Sequence, residues 1–144
     1  MKATPCCHPA DAFQVAELLN MDFYPDQLQL LFRTGVLAGV HGAGLTNQVW
    51  MTPGEGAVVE LWHGMADNFH YHNMAQMLGH AYYNVMTQEQ LSGSGGGGVG
   101  MESGVGKPVN VSHVVEAVGI AMDEVARRWA ARRKGLRKWW KRLP

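Results

Sequence analysis

The sequence is short of cysteine, of long apolar runs and, over most of its length, of positive charge, and each shortage closes a class of explanation. Its two cysteines, Cys6 and Cys7, are neighbours, so they staple no distant segments and report no redox compartment. No stretch approaches the roughly 18 consecutive apolar residues that a spanning helix needs. The opening MKATPCCHPADAF lacks the apolar core of a signal peptide, so no address is expected in this chain. Residues 1–126 hold three basic side chains, Lys2, Arg33 and Lys107, against all twelve acidic ones. The other nine basic side chains lie in 127–144, so a formal net charge of zero divides into −9 and +9. The tail is a separate electrostatic object.

What is present suffices for one domain with a real core: 144 residues, 47% of them apolar. ADAFQVAELL places Ala12, Val15, Ala16 and Leu19 on one helical face behind Asp11, and MDF reads as a short strand. Pro25 and Asp26 open a second helix through PDQLQLLFRT, with Leu28, Leu31 and Phe32 as its packed face and Gly35 as its end. VLAGV, 36–40, has the unbroken apolar character of a strand covered on both faces. A short helix over 45–51, the turn TPGEG and a second buried strand AVVEL follow. DNFHYHNMAQMLGH predicts a helix through Phe69, Met74 and Met77 that stops at Gly79, and AYYNV a third strand. Helices alternating with short buried strands predict an α/β fold, a parallel sheet with flanking helices on both faces.

SGSGGGGVGMESGVG within 92–108 reads as a flexible glycine-rich linker. Residues 109–144 predict a long amphipathic helix with an apolar stripe through Val115, Val118, Met122, Val125, Trp129, Leu136, Trp140 and Leu143, weakened at Gly135. The expected organisation is a domain over 10–91, the linker over 92–108 and the basic helix over 109–144. No internal repeat is found.

The stretch GVHGAGLTN, 39–47, raises the functional question. A strand that runs into a glycine-rich turn opening a helix suits an anion, because glycine lets backbone N–H groups approach it at the positive end of the helix dipole. Gly42 and Gly44 would serve that purpose, His41 would add a hydrogen bond or a proton, and Thr46 a hydroxyl. A tight turn that merely avoids a clash explains the same glycines. Gly42, Gly44 and Asn47 give G-x-G-x-x-N, one glycine short of the dinucleotide fingerprint, although Glu60 stands 18 residues after Gly42, near where that fingerprint has its acid. A P-loop is excluded, because no Gly-Lys-Ser/Thr follows.

GVHGAGLTNQVWMTPGEGAVVELWH, followed by HYHNMAQMLGHAYY, resembles the C-terminal part of glycosyltransferase family 61, which includes plant xylan arabinosyl- and xylosyltransferases and O-linked N-acetylglucosaminyltransferases of the endoplasmic reticulum. The likeness rests on an apolar strand, H-G-A-G-L-T-N, an apolar segment with P-G, and an apolar strand ending in Glu. A helix with Asn73, Leu78 and Gly79 completes it, with Ala75 one residue early, and the whole spans roughly 22–86. The resemblance implies the Rossmann-like, donor-binding C-terminal half of an inverting GT-B glycosyltransferase. Such an enzyme transfers sugar from a nucleotide donor, here expected to be UDP-linked, to a hydroxyl of a glycan or protein. The acceptor-binding half has no counterpart in these residues, so a fragment of a longer enzyme or a reduced relative is expected, placed by resemblance in the Golgi or endoplasmic reticulum. A non-catalytic nucleotide-sugar-binding or interaction module is the alternative.

The resemblance implies donor binding by His41, Gly42, Ala43, Gly44, Leu45, Thr46 and Glu60. The N–H groups from Gly42 to Leu45 would meet the diphosphate, Glu60 at the edge of its strand would accept from ribose hydroxyls, and His41 is the candidate catalytic group. The nucleotide sugar is substrate, with no resident cofactor. His63, His70, His72 and His80 invite a metal reading, but His70 and His72 point about 200° apart on a helix, so no metal is assigned. Asn110-Val111-Ser112 is a glycosylation sequon. Residues 127–144 read as the closing helix of the domain or as a contact to a membrane surface; with no base-reading motif, no nucleic acid partner is assigned.

Overall fold

The computed structural model describes residues 24–62, 69–86 and 109–140, with backbone alone for Tyr24 and 137–140. The expected helix at 10–19, the MDF strand, the linker, Cys6, Cys7 and His63 lie outside the described residues. The fold is α/β, built in the order α1 (Tyr24–Phe32), β1 (Val36–Val40), a 3-10 helix (Ala43–Trp50), β2 (Ala57–Trp62), α2 (His70–Leu78), β3 (Ala81–Met86) and α3 (Val111–Trp140). The three strands form one parallel sheet in the order β1-β2-β3. The register pairs Gly39 with Glu60 and Glu60 with Asn84.

Central β2 explains its own sequence. Ala57, Val58, Val59 and Glu60 are all fully buried, as expected for a parallel strand with neighbours on both sides and layers on both faces. Successive side chains alternate between two cores. Ala57 and Val59, with Val36, Leu61, Ala81, Tyr83 and Val85, face α3. Val58, with Leu37 and Tyr82, faces Leu45 of the 3-10 helix and Ala75 and Tyr71 of α2. Helical layers therefore cover both faces, as the alternation of elements predicts. β1 departs from expectation: Ala38 and Val40 are exposed, because this is an edge strand whose outer side lacks a described partner.

Several helix ends follow local chemistry. α1 stops at Phe32 rather than at Gly35, through tight turns in which Arg33 N–H donates to Leu30 O at 3.1 Å and Thr34 N–H to Leu31 O at 3.0 Å. Gly35 has a different use: a Cβ there would lie 3.1 Å from Val125 Cγ1, so its absence lets α3 approach the start of β1. Phe32, expected in the packed face, is exposed and meets Trp50 edge-on at 6.5 Å. α2 ends as predicted at Gly79, whose φ of 72° is the left-handed cap conformation, with His80 N–H returning to Ala75 O at 2.8 Å.

α3 begins at the sequon. Asn110 Oδ1 accepts from Ser112 N–H at 3.0 Å, an N-cap contact that accounts for Asn-x-Ser at this point without a glycan. The helix runs through Gly135 without interruption. Its inward row is Ala121 and Val125, both buried, with the half-buried Val114, Ala117, Val118 and Trp129 packed beside them. That corrects the expected stripe, because Val115, Met122 and Leu136 are exposed. The small side chains of Ala117 and Ala121 let the helix settle on the sheet, whereas a periodicity count favours the larger Val115 and Met122. No helix among the described residues is long and apolar enough to cross a membrane.

Candidate functional site

Open parallel sheets carry their sites outside the carboxyl ends of the strands, and there β1 hands over to the glycine-rich turn. His41 extends the ladder by one bond, its N–H donating to Leu61 O at 2.9 Å. By strand alternation His41, Glu60, Trp62 and Tyr82 share the face covered by the 3-10 helix and α2. The His41 ring lies edge-on between Trp62, centroid distance 5.0 Å, and Tyr71, 5.2 Å.

Glu60 is the centre of this arrangement. Its Oε1 is hydrogen-bonded to His41 Nδ1, and its Oε2 accepts from the Tyr82 hydroxyl at 2.5 Å. The side chains of His41 and Glu60 are only 7% and 1% exposed. A carboxylate only accepts, so Nδ1 of His41 carries the proton in this pair. A buried charge is tolerated only when paired and hydrogen-bonded, and Glu60 has a donor on each oxygen. Burial, followed by the hydrogen bond and charge of Glu60, raises the Tyr82 phenol above the ordinary tyrosine range, which keeps it a neutral donor.

The expected position of Glu60 at the strand edge is not found. It stands two residues before the end of β2, directed into the layer beneath the 3-10 helix and α2, with both oxygens engaged by protein donors. A ribose would have to compete with Tyr82 and His41. Sequence reasoning did not single out Tyr82, Trp62 or Tyr71; it is the register, pairing Val58 with Tyr82, that puts Tyr82 on the same face as Glu60.

The loop keeps part of its expected geometry. Gly42 is extended backbone at the start of the 3-10 helix, with no side-chain cap. Leu45 N–H is spent on Gly42 O at 3.0 Å and its side chain is core, which removes Leu45 from the expected donors to a diphosphate. The N–H groups of Gly42, Ala43 and Gly44 precede the first bond of the helix. Ala43, Gly44 and Thr46 are exposed, and a Cβ on Gly44 would meet nothing within 4 Å. Asn47 turns back to donate to Gly44 O at 3.1 Å, bracing the turn where a third glycine would stand in the dinucleotide fingerprint.

The other histidines separate into different environments. His80 is buried, its Nε2–H donating to Gln48 O at 3.2 Å. Burial lowers its affinity for a proton, the Gln48 carbonyl opposes that shift, and the charge of Arg128 adds to it. His72 lies 4.8 Å from the Tyr82 ring and contacts Gln76 through Nε2, while His70 is at the exposed start of α2. Among the described residues no group of three or more His, Cys, Asp or Glu side chains converges in a way that could hold a metal ion. Comparison with protein-family profiles, with curated proteins and with solved structures finds no match for this chain.

Proposed function

We propose that this chain is the Rossmann-like donor-binding part of an inverting GT-B glycosyltransferase that takes a UDP-linked sugar. The observation that carries the reading is the handover from β1 through His41 to the exposed turn Gly42-Ala43-Gly44, with His41 held from beneath by Glu60. The resemblance of HGAGLTN and the strand ending AVVEL to family 61 supplies the substrate class.

In this reading the Gly42, Ala43 and Gly44 N–H groups receive the diphosphate, the group that departs and gains charge as the glycosidic bond breaks. A helix N-terminus contributes only about 0.3 to 2 kcal/mol to such a charge. A well-aimed donor in a water-poor site is worth about 3 to 4 kcal/mol. His41 at the loop's root fits that role. Glu60 keeps a proton on Nδ1 and so fixes the tautomer and direction of the ring, and Trp62 and Tyr71 keep the imidazole from turning. Glu60 is thus a positioning residue, in place of the ribose contact expected from sequence. The acceptor, its general base and the remaining charge compensation belong to residues outside this segment.

A non-catalytic nucleotide-sugar-binding module is favoured by one fact: Arg33 is the only Lys or Arg in 24–62 and 69–86, so the site itself brings little charge to a leaving diphosphate. Calorimetric titration of the purified chain with UDP, with GDP and NAD as controls, tests both readings. Saturable UDP binding that disappears in Gly44→Val supports the cradle, because a Cβ at Gly44 meets no protein atom and the variant keeps its fold. A folded chain that ignores UDP overturns it. UDP-sugar hydrolysis or transfer separates the enzyme from the module.

A further inference from the structure

We infer that the C-terminal end of α3 is a docking element for an anionic lipid surface. The helix is 30 residues long, about 45 Å at 1.5 Å per residue, whereas a six-residue strand spans about 20 Å. Among the described residues its last polar ties to the body are Arg128, whose Nη1 donates to Gly54 O at 3.1 Å and Gly79 O at 2.6 Å, and Arg132, paired with Glu55. Gly54 and Glu55 precede β2 and Gly79 precedes β3, so α3 leaves the body at the edge where the strands begin. His41 and the glycine turn lie at the opposite edge. A surface bound by the helix end leaves the candidate site open.

Beyond Arg132, among the described residues, no hydrogen bond or ion pair ties the exposed side chains of Arg133, Lys134 and Leu136 to the body. Arg133 and Lys134 are exposed, and Leu136, which continues the row of Val125 and Trp129 past the end of the sheet, is 49% exposed. Ala126, Trp129, Ala130, Arg133 and Lys134 line an open cleft of about 390 Å³, three of them apolar and two cationic. That combination suits a phosphate headgroup above hydrocarbon. Residues 127–144 carry nine Lys or Arg, three Trp, two Leu and no acid, a composition suited to a lipid interface.

Charge complementarity selects the partner. An anionic surface attracts this segment and repels the rest of the chain, which carries −9. The eight helical residues after Arg132 reach about 12 Å, more than the roughly 8 Å Debye length of physiological salt, so the tip engages a surface while the acidic body stands off. A nucleic-acid backbone would use the cations and leave the exposed Leu136 and the apolar lining of the cleft without a role.

Flotation of the full chain with vesicles of phosphatidylcholine, and of phosphatidylcholine with phosphatidylserine, tests the inference. Binding to the serine-lipid vesicles is expected to be at least about tenfold tighter, since each cation near the surface adds roughly a factor of five. High salt should reverse it. The doubly substituted Arg133→Glu/Lys134→Glu chain should lose at least about tenfold, and Leu136→Gln, which keeps every charge, should also weaken binding. Circular dichroism and UDP titration of the same variants should be unchanged, which separates a failure here from a failure of the donor-binding reading. No vesicle binding, equal binding to both lipids, or an unaffected Leu136→Gln overturns the inference. Tighter binding to RNA or duplex DNA than to vesicles also overturns it and assigns the tail to nucleic acid.

Discussion

Glu60 in β2 and His41, the residue after β1, meet through Oε1 and Nδ1 on a face closed by the 3-10 helix and α2. The pair ties the exposed glycine turn to the most buried strand of the sheet. Disturbing Glu60 should therefore be felt both in folding and at the loop. Glu60→Ala leaves His41 Nδ1–H and the Tyr82 hydroxyl without their acceptor and is expected to cost about 3 to 5 kcal/mol. Glu60→Gln keeps an acceptor and the volume, for a loss of about 1 to 3 kcal/mol. Urea unfolding of the three proteins measures this, and equal midpoints would show that the pair contributes nothing.

Tyr82→Phe removes the second donor on Glu60 while preserving the ring against His72. The expected loss is about 1.5 to 3 kcal/mol, the range for hydrogen bonds to charged groups. The raised phenol also sets a pH dependence. The neutral phenol is favoured in the folded state, so its contribution is full below the ordinary tyrosine value near 10 and is lost as pH rises beyond it. Phenolate absorbance should show one tyrosine of the four titrating last, together with unfolding, and that component should vanish in Tyr82→Phe.

His80 acts in the opposite direction. Its lowered proton affinity means the unfolded chain binds the proton more readily. The contribution is fully present above the ordinary histidine value of about 6.5 and is lost as pH falls below it. Stability should therefore rise from about pH 5 to about pH 7.5 more steeply in the parent protein than in His80→Gln. Parallel curves would remove His80 as the cause.

Glycine substitutions should separate packing from binding. A Cβ on Gly56 would lie 2.5 Å from Met51 Cε and 3.0 Å from His80 Nδ1, so Gly56→Ala overpacks a closed site and should cost about 1 to 3 kcal/mol. Gly44→Ala meets nothing within 4 Å and should leave thermal unfolding unchanged. Substantial destabilisation by the second variant would make the turn a structural rather than a binding feature.

Much of the architecture was legible because it is local. The apolar run of β2, the glycine stop of α2 and the strand-to-glycine handover at His41 each depend on a few adjacent residues. The row of α3 that packs was not, because Val115 and Met122 match the period as well as Ala117 and Ala121 do, and only the shape of the sheet chooses between them. The exposure of Phe32 and of one side of β1 likewise depends on which neighbours are present.

By itself the amino-acid sequence determined that parallel strands alternate with helices, that a glycine-rich turn follows β1 and that nine cations gather in 127–144, because spacing, turn chemistry and charge are properties of contiguous residues. Only the tertiary structure decided that Glu60 faces inward to His41 and Tyr82, that Leu45 belongs to the core and that the basic end of α3 leaves the body opposite the turn. Those are relations between segments distant in sequence. The register of the sheet and the packing of its two helical layers bring them together.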